Sequence, residues 1–226
     1  MKYTEIIKKL KSKSNPQNIE GMARFGINPK NNLGLSVTTI RKIAKGMEKD
    51  HELARRLWAS GIRDARMLAC LIEKIPLVTE KQADHWVKDF DSWDLCDHAC
   101  GNLFDRTKFA YKKVGQWGKS KKEFIKRAGF ALLAWLAVHD KQAEDKKFLK
   151  FLPLIRKAST DERNYVKKAV NWALRCIGKR NLKLNLAALK AAREIQKINS
   201  KAARWNAGDT LRELTSKQVL KRLRKK

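Results

Sequence analysis

The 226-residue sequence places an acid among aromatics in the block Trp93-Asp94-Leu95-Cys96-Asp97. At about 100° per residue along a helix, Trp93, Asp97, Cys100 and Phe104 fall in one stripe, and Leu95, Cys96, Ala99 and Leu103 form a core face. Asp97 then sits one turn from a Trp, flanked by apolar groups, where helix propensity is poor and burying a charge is costly. Two explanations stand open. A carboxylate beside a sugar can stabilise an oxocarbenium ion or activate a water, as in glycoside hydrolysis. Alternatively, the acid forms a helix–helix salt bridge to one of the many Arg residues. Spacing alone does not choose between them.

Two further stretches carry candidate residues. In the pattern 121–139, Phe124, Ile125, Ala128, Leu132, Trp135 and Leu136 mark a core face, with Arg127 at its edge beside the small Ala131 and Ala134. A guanidinium there suits a bidentate phosphate contact, and a structural bridge to a neighbouring acid is equally common. In the pattern 161–178, Val166, Val170, Ala173, Leu174 and Ile177 form the core face, and Trp172 falls opposite with Tyr165, Lys168, Cys176 and Lys179. A Trp interleaved with cations fits nucleic acid, its ring on sugar or base while Lys168, Lys179 and the adjacent Arg180 take phosphates. The bland reading packs that Trp against a neighbouring repeat.

The elements that position these residues are helices. Only four prolines interrupt the chain, and Ala-, Leu-, Lys- and Glu-rich segments recur between short breaks. Periodicity predicts helices over 2–13, 16–25, 36–46, 50–60, 62–74, 79–90, 92–104, 107–117, 121–139, 145–157, 161–178, 182–198 and 209–225. Ser36, Thr79 and the run Thr160-Asp161-Glu162 read as helix starts. The turn at Arg24-Phe25-Gly26-Ile27 and the Asn-rich loop after it read as a helix end and a connection. Three segments repeat loosely: RDARMLACLI (63–72), KRAGFALLAWL (126–136) and KKAVNWALRCI (167–177). Each begins basic, places Ala65, Ala128 or Ala169 at a fixed point and then runs apolar. This predicts an all-α fold, a HEAT-like helical-repeat solenoid with a concave basic face, built as a single domain over 1–226. A compact irregular bundle is the alternative.

The charge narrows the partner. Lys and Arg number 52 against 23 Asp and Glu, a formal net charge of +29. Such an excess repels itself in the free protein, and a polyanion relieves it. The last 48 residues, 179–226, carry a net +12 and keep an apolar stripe at Leu211, Leu214, Val219, Leu220 and Leu223, so they read as a basic helical end. No apolar run approaches the roughly 20 residues that span a bilayer; the longest, Phe130 to Val138, has nine. The start, MKYTEIIKKLK, does not read as a signal peptide, and four scattered cysteines fit a reduced cytosol. Cys96, His98 and Cys100 resemble a metal motif as text, but spacings of two and four on a helix do not converge on one ion. There is no P-loop, no dinucleotide-binding glycine motif and no acidic cluster for two-metal chemistry, so neither metal nor cofactor is expected.

At these residues the sequence resembles the HEAT-like-repeat DNA glycosylases of the AlkD-type DNA alkylation repair family. The resemblance runs from GMARFGI and TTIRKIAK through WVKDFDSWDLCDHACGNLF, FIKRAGFALLAWLA and DERNYVKKAVNWALRCIGKRN to ARWNAGDTLRELTS. WDLCD is its most specific part. It implies excision of cationic alkylated purines of the 3-methyladenine and 7-methylguanine type from double-stranded DNA, leaving an abasic site. By motif, Asp97 matches the catalytic Asp, Trp93 the Trp four residues before it, Arg127 the helix-start Arg and Trp172 the second Trp. A cationic base leaves readily, so an anion near the sugar and aromatic faces against a cation-like transition state are the help it needs. The sequence departs from its relatives at Gly21-Met22, where they often carry an aromatic. Nothing in the sequence requires more than a monomer, and a cytoplasmic, nucleoid-associated protein is the expectation. A non-catalytic DNA- or RNA-binding repeat protein is the rival, with Asp97 as a structural acid.

Overall fold

The computed structural model describes residues 2–225, and every regular element among them is a helix. The chain divides into two compact units, Met1–Lys108 and Phe109–Lys226. The first contains α1 (Tyr3–Lys11), α2 (Pro16–Arg24), α3 (Val37–Lys45), α4 (His51–Ala59), α5 (Arg63–Ile72), α6 (Glu80–Trp86) and α7 (Trp93–Asn102). The second contains α8 (Ala110–Trp117), α9 (Glu123–His139), α10 (Lys146–Leu149), α11 (Leu152–Ala158), α12 (Asn164–Gly178), α13 (Leu182–Gln196), α14 (Lys201–Leu214) and α15 (Lys217–Arg224).

Both units are built by pairing consecutive helices. In the first, α4 packs on α5, and α5 also packs on α3 and α7. In the second, α8/α9, α11/α12 and α13/α14 are pairs, and the later member of each lies beside the next, α9 on α12 and α12 on α14. No single amphipathic helix can cover its apolar face, so stacking such pairs is what buries a continuous core. The expected repeat is present in this packing: Ala65, Ala128 and Ala169 are all fully buried, on α5, α9 and α12. Around them Phe130, Leu132, Leu133, Val166, Val170 and Ile177 lose all contact with water, each contributing about 1.5–3 kcal/mol. The closest approach falls at Gly129, where an added Cβ would lie 2.3 Å from the Gly118 backbone nitrogen. Only a glycine lets α9 pass the end of α8.

The helix starts follow side-chain capping. Asn15, Ser36, Asp50, Thr79, Asn181, Ser200 and Ser216 each accept a backbone N–H from the first turn that follows. Three expected boundaries are corrected. The helix expected over 145–157 breaks at Lys150–Phe151 into α10 and α11, because Pro153 supplies no N–H and can sit only in a first turn. The helix expected over 209–225 begins eight residues earlier, where Ser200 caps the Ala203 N–H, and stops at Thr215 so that Ser216 can cap α15. The start expected at Thr160-Asp161-Glu162 moves to Asn164, because Asp161 is used as a clamp. Its carboxylate takes Arg163 at 2.6 Å and Lys126 at 2.8 Å. Burial pushes the Asp161 carboxyl up, but the Arg163 and Lys126 bonds overcome that and hold it down at about 2. No helix among the described residues is long and apolar enough to cross a membrane.

Candidate active site

In the first unit the candidate acid is carried by a helix that is almost wholly interior. Of the ten residues of α7, only Trp93, Asp97 and Asn102 are not buried. The expected stripe is therefore two things. Its lower half, Cys100 and Phe104, is fully buried core, and its upper half, Trp93 and Asp97, is half-buried. The Cys100 thiol is pushed well up by burial, by the neighbouring Cys96 and by the negative charge of Asp97 one turn away. His98 points inward, its Nε2 3.1 Å from the Met67 carbonyl oxygen, and burial depresses its pKa to about 4. A neutral ring donating to that carbonyl satisfies it.

The structural acid on α7 is Asp94. Its Oδ2 receives Arg63 Nε at 2.7 Å, and its Oδ1 accepts the Leu95 N–H at 2.8 Å. Arg63 also donates to Asp64 at 3.0 Å, and Asp64 in turn accepts the Leu33 and Leu35 N–H groups at 2.7 and 3.0 Å. All three charged side chains are buried, so α5, α7 and the loop before α3 are fixed to one another by charge-assisted bonds. Asp94 carries an Arg bridge of the kind that spacing allows on this helix.

The loop read as a mere connection positions Trp93. The Trp93 indole N–H donates to the Phe25 carbonyl oxygen at 2.9 Å. Close by, the Asn28 N–H donates to Ser92 Oγ at 2.8 Å, and Asn28 Nδ2 donates to Asp91 Oδ2 at 2.7 Å. Phe25 itself leaves 76% of its surface in water. Sequence reasoning missed it. The available signal was an aromatic at a helix end, in the turn before a positive-φ glycine, with no core to fill.

In the second unit Arg127 lies deeper than its expected edge position. It is buried on α9, and its Nη1 donates to the Tyr165 carbonyl oxygen in the first turn of α12 at 2.7 Å. The Tyr165 ring rests 5.4 Å from that of Phe124. Trp172 is half-buried, with its side-chain N–H on the Cys176 sulfur and its ring edge-on to Trp135, centroids 5.5 Å apart at 81°. Trp135, expected in the core, is thus a half-buried partner of Trp172, with the His139 ring tilted by 32° and its centroid 4.8 Å away. Of the expected cations, Lys168 is exposed, whereas Lys179 holds Glu213 at 2.6 Å. Arg180 donates to the Ala137 and Ala143 carbonyls at 2.8 and 3.1 Å and lies over the Phe148 ring. The structure gives Arg180 the task of closing the end of α9. Trp93 with Asp97 thus belongs to the first unit, and Arg127, Tyr165, Lys168 and Trp172 to the second.

Paired helices of this kind define a helical-repeat protein. Residues 6–218 match the profile of the DNA alkylation repair enzyme family, and the chain belongs to that family. Among solved structures, one described as "a new family of proteins related to the HEAT-like repeat DNA glycosylases with affinity for branched DNA structures" superposes with a TM-score of 0.78. It is 19% identical, with 94% of this chain and 95% of that one covered. The fold is therefore the HEAT-like repeat fold. A designed armadillo repeat protein matches at 16% identity with a TM-score of 0.36, over 79% of this chain and 92% of its own. No sequence among the curated proteins matches this one.

Proposed function

We propose that the protein is a monofunctional DNA glycosylase that hydrolyses the N-glycosidic bond of cationic alkylated purines in duplex DNA. The observation that carries this reading is the window on α7: an otherwise interior helix leaves one acid half-buried one turn from a half-buried Trp.

The bond that breaks is the one between C1′ and the purine nitrogen. Its electron pair leaves with the alkylated base, which departs neutral because it was cationic in the substrate. Positive charge develops on the sugar, and the Asp97 carboxylate stabilises it. Water then adds at C1′ and gives its proton to Asp97 or to solvent. Trp93 offers an aromatic face to a cation-like transition state, and in the second unit Trp172 is assigned to the sugar or base of bound DNA. Lys168 and Tyr165 grip the backbone, with Lys179 and Arg180 adding to the positive field behind them, and Arg127 fixes the start of α12. The exposed ring of Phe25, hydrogen-bonded through its backbone to Trp93, supplies an aromatic on the side where Gly21-Met22 lacks one.

The test is release of methylated base from alkylated duplex DNA by the wild type and by Asp97→Asn. Release by the wild type and a loss of at least a hundredfold in the variant supports the reading. Equal release from both, or none from either with DNA binding intact, replaces it with a non-catalytic DNA-binding repeat protein. The relative with affinity for branched DNA makes that the second reading.

A further inference from the structure

Trp205 takes no part in the site above. It leaves 43% of its surface in water. Its neighbours on α14 do the packing: Ala202, Ala203, Asn206, Ala207 and Thr210 are buried, and Asn206 Nδ2 donates to the Ser159 carbonyl oxygen at 3.0 Å. The indole N–H makes no hydrogen bond among the described residues, and the contact recorded for the ring is a cation. Lys167 Nζ, from α12, lies 5.3 Å from the ring centroid.

The surroundings are basic and open. Lys201, Arg204 and Arg212 are exposed on the same helix, and Gly208, one turn beyond the ring, has nothing within 4 Å of an added Cβ. Of the nearby acids, Asp209 is paired with Arg175 and Arg212 and Glu213 with Arg175 and Lys179, while Glu162 accepts the Ala202 N–H and Ser200 hydroxyl at the start of α14. The Arg175 and Lys179 pairs join α14 to the side of α12 that carries Lys168 and Trp172, since residues 168, 172, 175 and 179 share one stripe. Trp205 therefore continues, within the second unit, the surface assigned to DNA.

An exposed indole with a free N–H, one lysine against its ring and further exposed cations along its helix suits a base that is not already stacked in a helix. A paired base offers no face to it. We propose that Trp205 is a stacking platform for an unpaired nucleotide beside the duplex, with Lys167, Lys201 and Arg204 taking the phosphates of that single strand. It would bind DNA with a single-stranded tail or branch point in preference to blunt duplex. This rests on the DNA-binding part of the proposed function and not on its chemistry.

The experiment measures affinity for a blunt duplex, for the same duplex with a single-stranded tail, and for vesicles containing phosphatidylglycerol. Wild type should prefer the tailed duplex by roughly tenfold, the scale of one base stacked on an aromatic ring. Trp205→Ala should cut that preference below twofold and leave blunt-duplex affinity within twofold, and Trp205→Phe should keep most of it. Lys167→Ala should lower the salt dependence of tailed-duplex binding by about one counterion. A wild type without tail preference overturns the inference, as does a Trp205→Ala variant that keeps it, or one that loses only vesicle binding. Base release from methylated blunt duplex is read in parallel. No release with the tail preference intact removes the proposed reaction and leaves the platform standing.

Discussion

The indole N–H of Trp93 is held by the carbonyl oxygen of Phe25, 68 residues earlier, at 2.9 Å. One bond therefore sets the plane of the ring beside Asp97 and ties it to the end of α2. Trp93→Phe keeps a ring and loses the donor. Base release should fall about three- to tenfold, the scale of one ordinary hydrogen bond, with little change in unfolding midpoint. Unchanged release would mean that this bond does not orient the ring.

Asp94 and Asp97 should separate stability from chemistry on one helix. Asp94→Asn leaves the buried Arg63 guanidinium without its charged partner and should cost about 3 kcal/mol or more. Asp97→Asn, at a half-buried position, should cost less than about 1 kcal/mol while abolishing base release. Denaturant unfolding of both variants beside the release assay checks the pair. Equal destabilisation would return Asp97 to the structural role.

Arg127 belongs to the fold as well as to the candidate site. Its buried guanidinium bonds the Tyr165 carbonyl, so Arg127→Ala should cost about 1.5–3 kcal/mol and lower the melting temperature. Lys at this position restores the charge but not the planar fork, and should recover the stability only in part. A melting temperature unchanged in Arg127→Ala would show that the bond contributes nothing.

The pH dependence follows from His98. Burial holds its folded pKa near 4, against about 6.5 for an exposed imidazole. Between those values the unfolded chain binds a proton that the folded one refuses, so stability rises with pH across that window and is lost as pH falls through it. Chemical denaturation at pH 7 and pH 4.5 should show the loss, on the order of 2 kcal/mol. His98→Gln, which can still donate to the Met67 carbonyl, should flatten it. Asp161, held at about 2, loses its contribution only in a lower window, roughly pH 4 to 2.

Much of the fold was legible because helical periodicity and capping are local. Ala65, Ala128 and Ala169 could be aligned from sequence, and all three are buried where the repeat requires. The exact breaks were not legible, because Pro153, Ser200 and Ser216 compete with an apolar pattern that runs on past them. For the site, the half-exposed pair Trp93 and Asp97 could be read from a helical wheel. The depth of Arg127 and the exposure of Trp135 could not, since each depends on which neighbouring helix covers that side. Phe25 escaped because its turn reads as a plain helix end, and its bond to Trp93 is made by a backbone carbonyl.

α7 confines its contact with the outside to very few positions. Exchanging Asp97 would leave the Arg63–Asp94 pair in place. Under the proposed reaction, one substitution there would yield a protein that still folds and still holds DNA but cuts no base. Enzyme and passive binder would then be adjacent points in sequence space, reachable from each other without passing through an unstable intermediate.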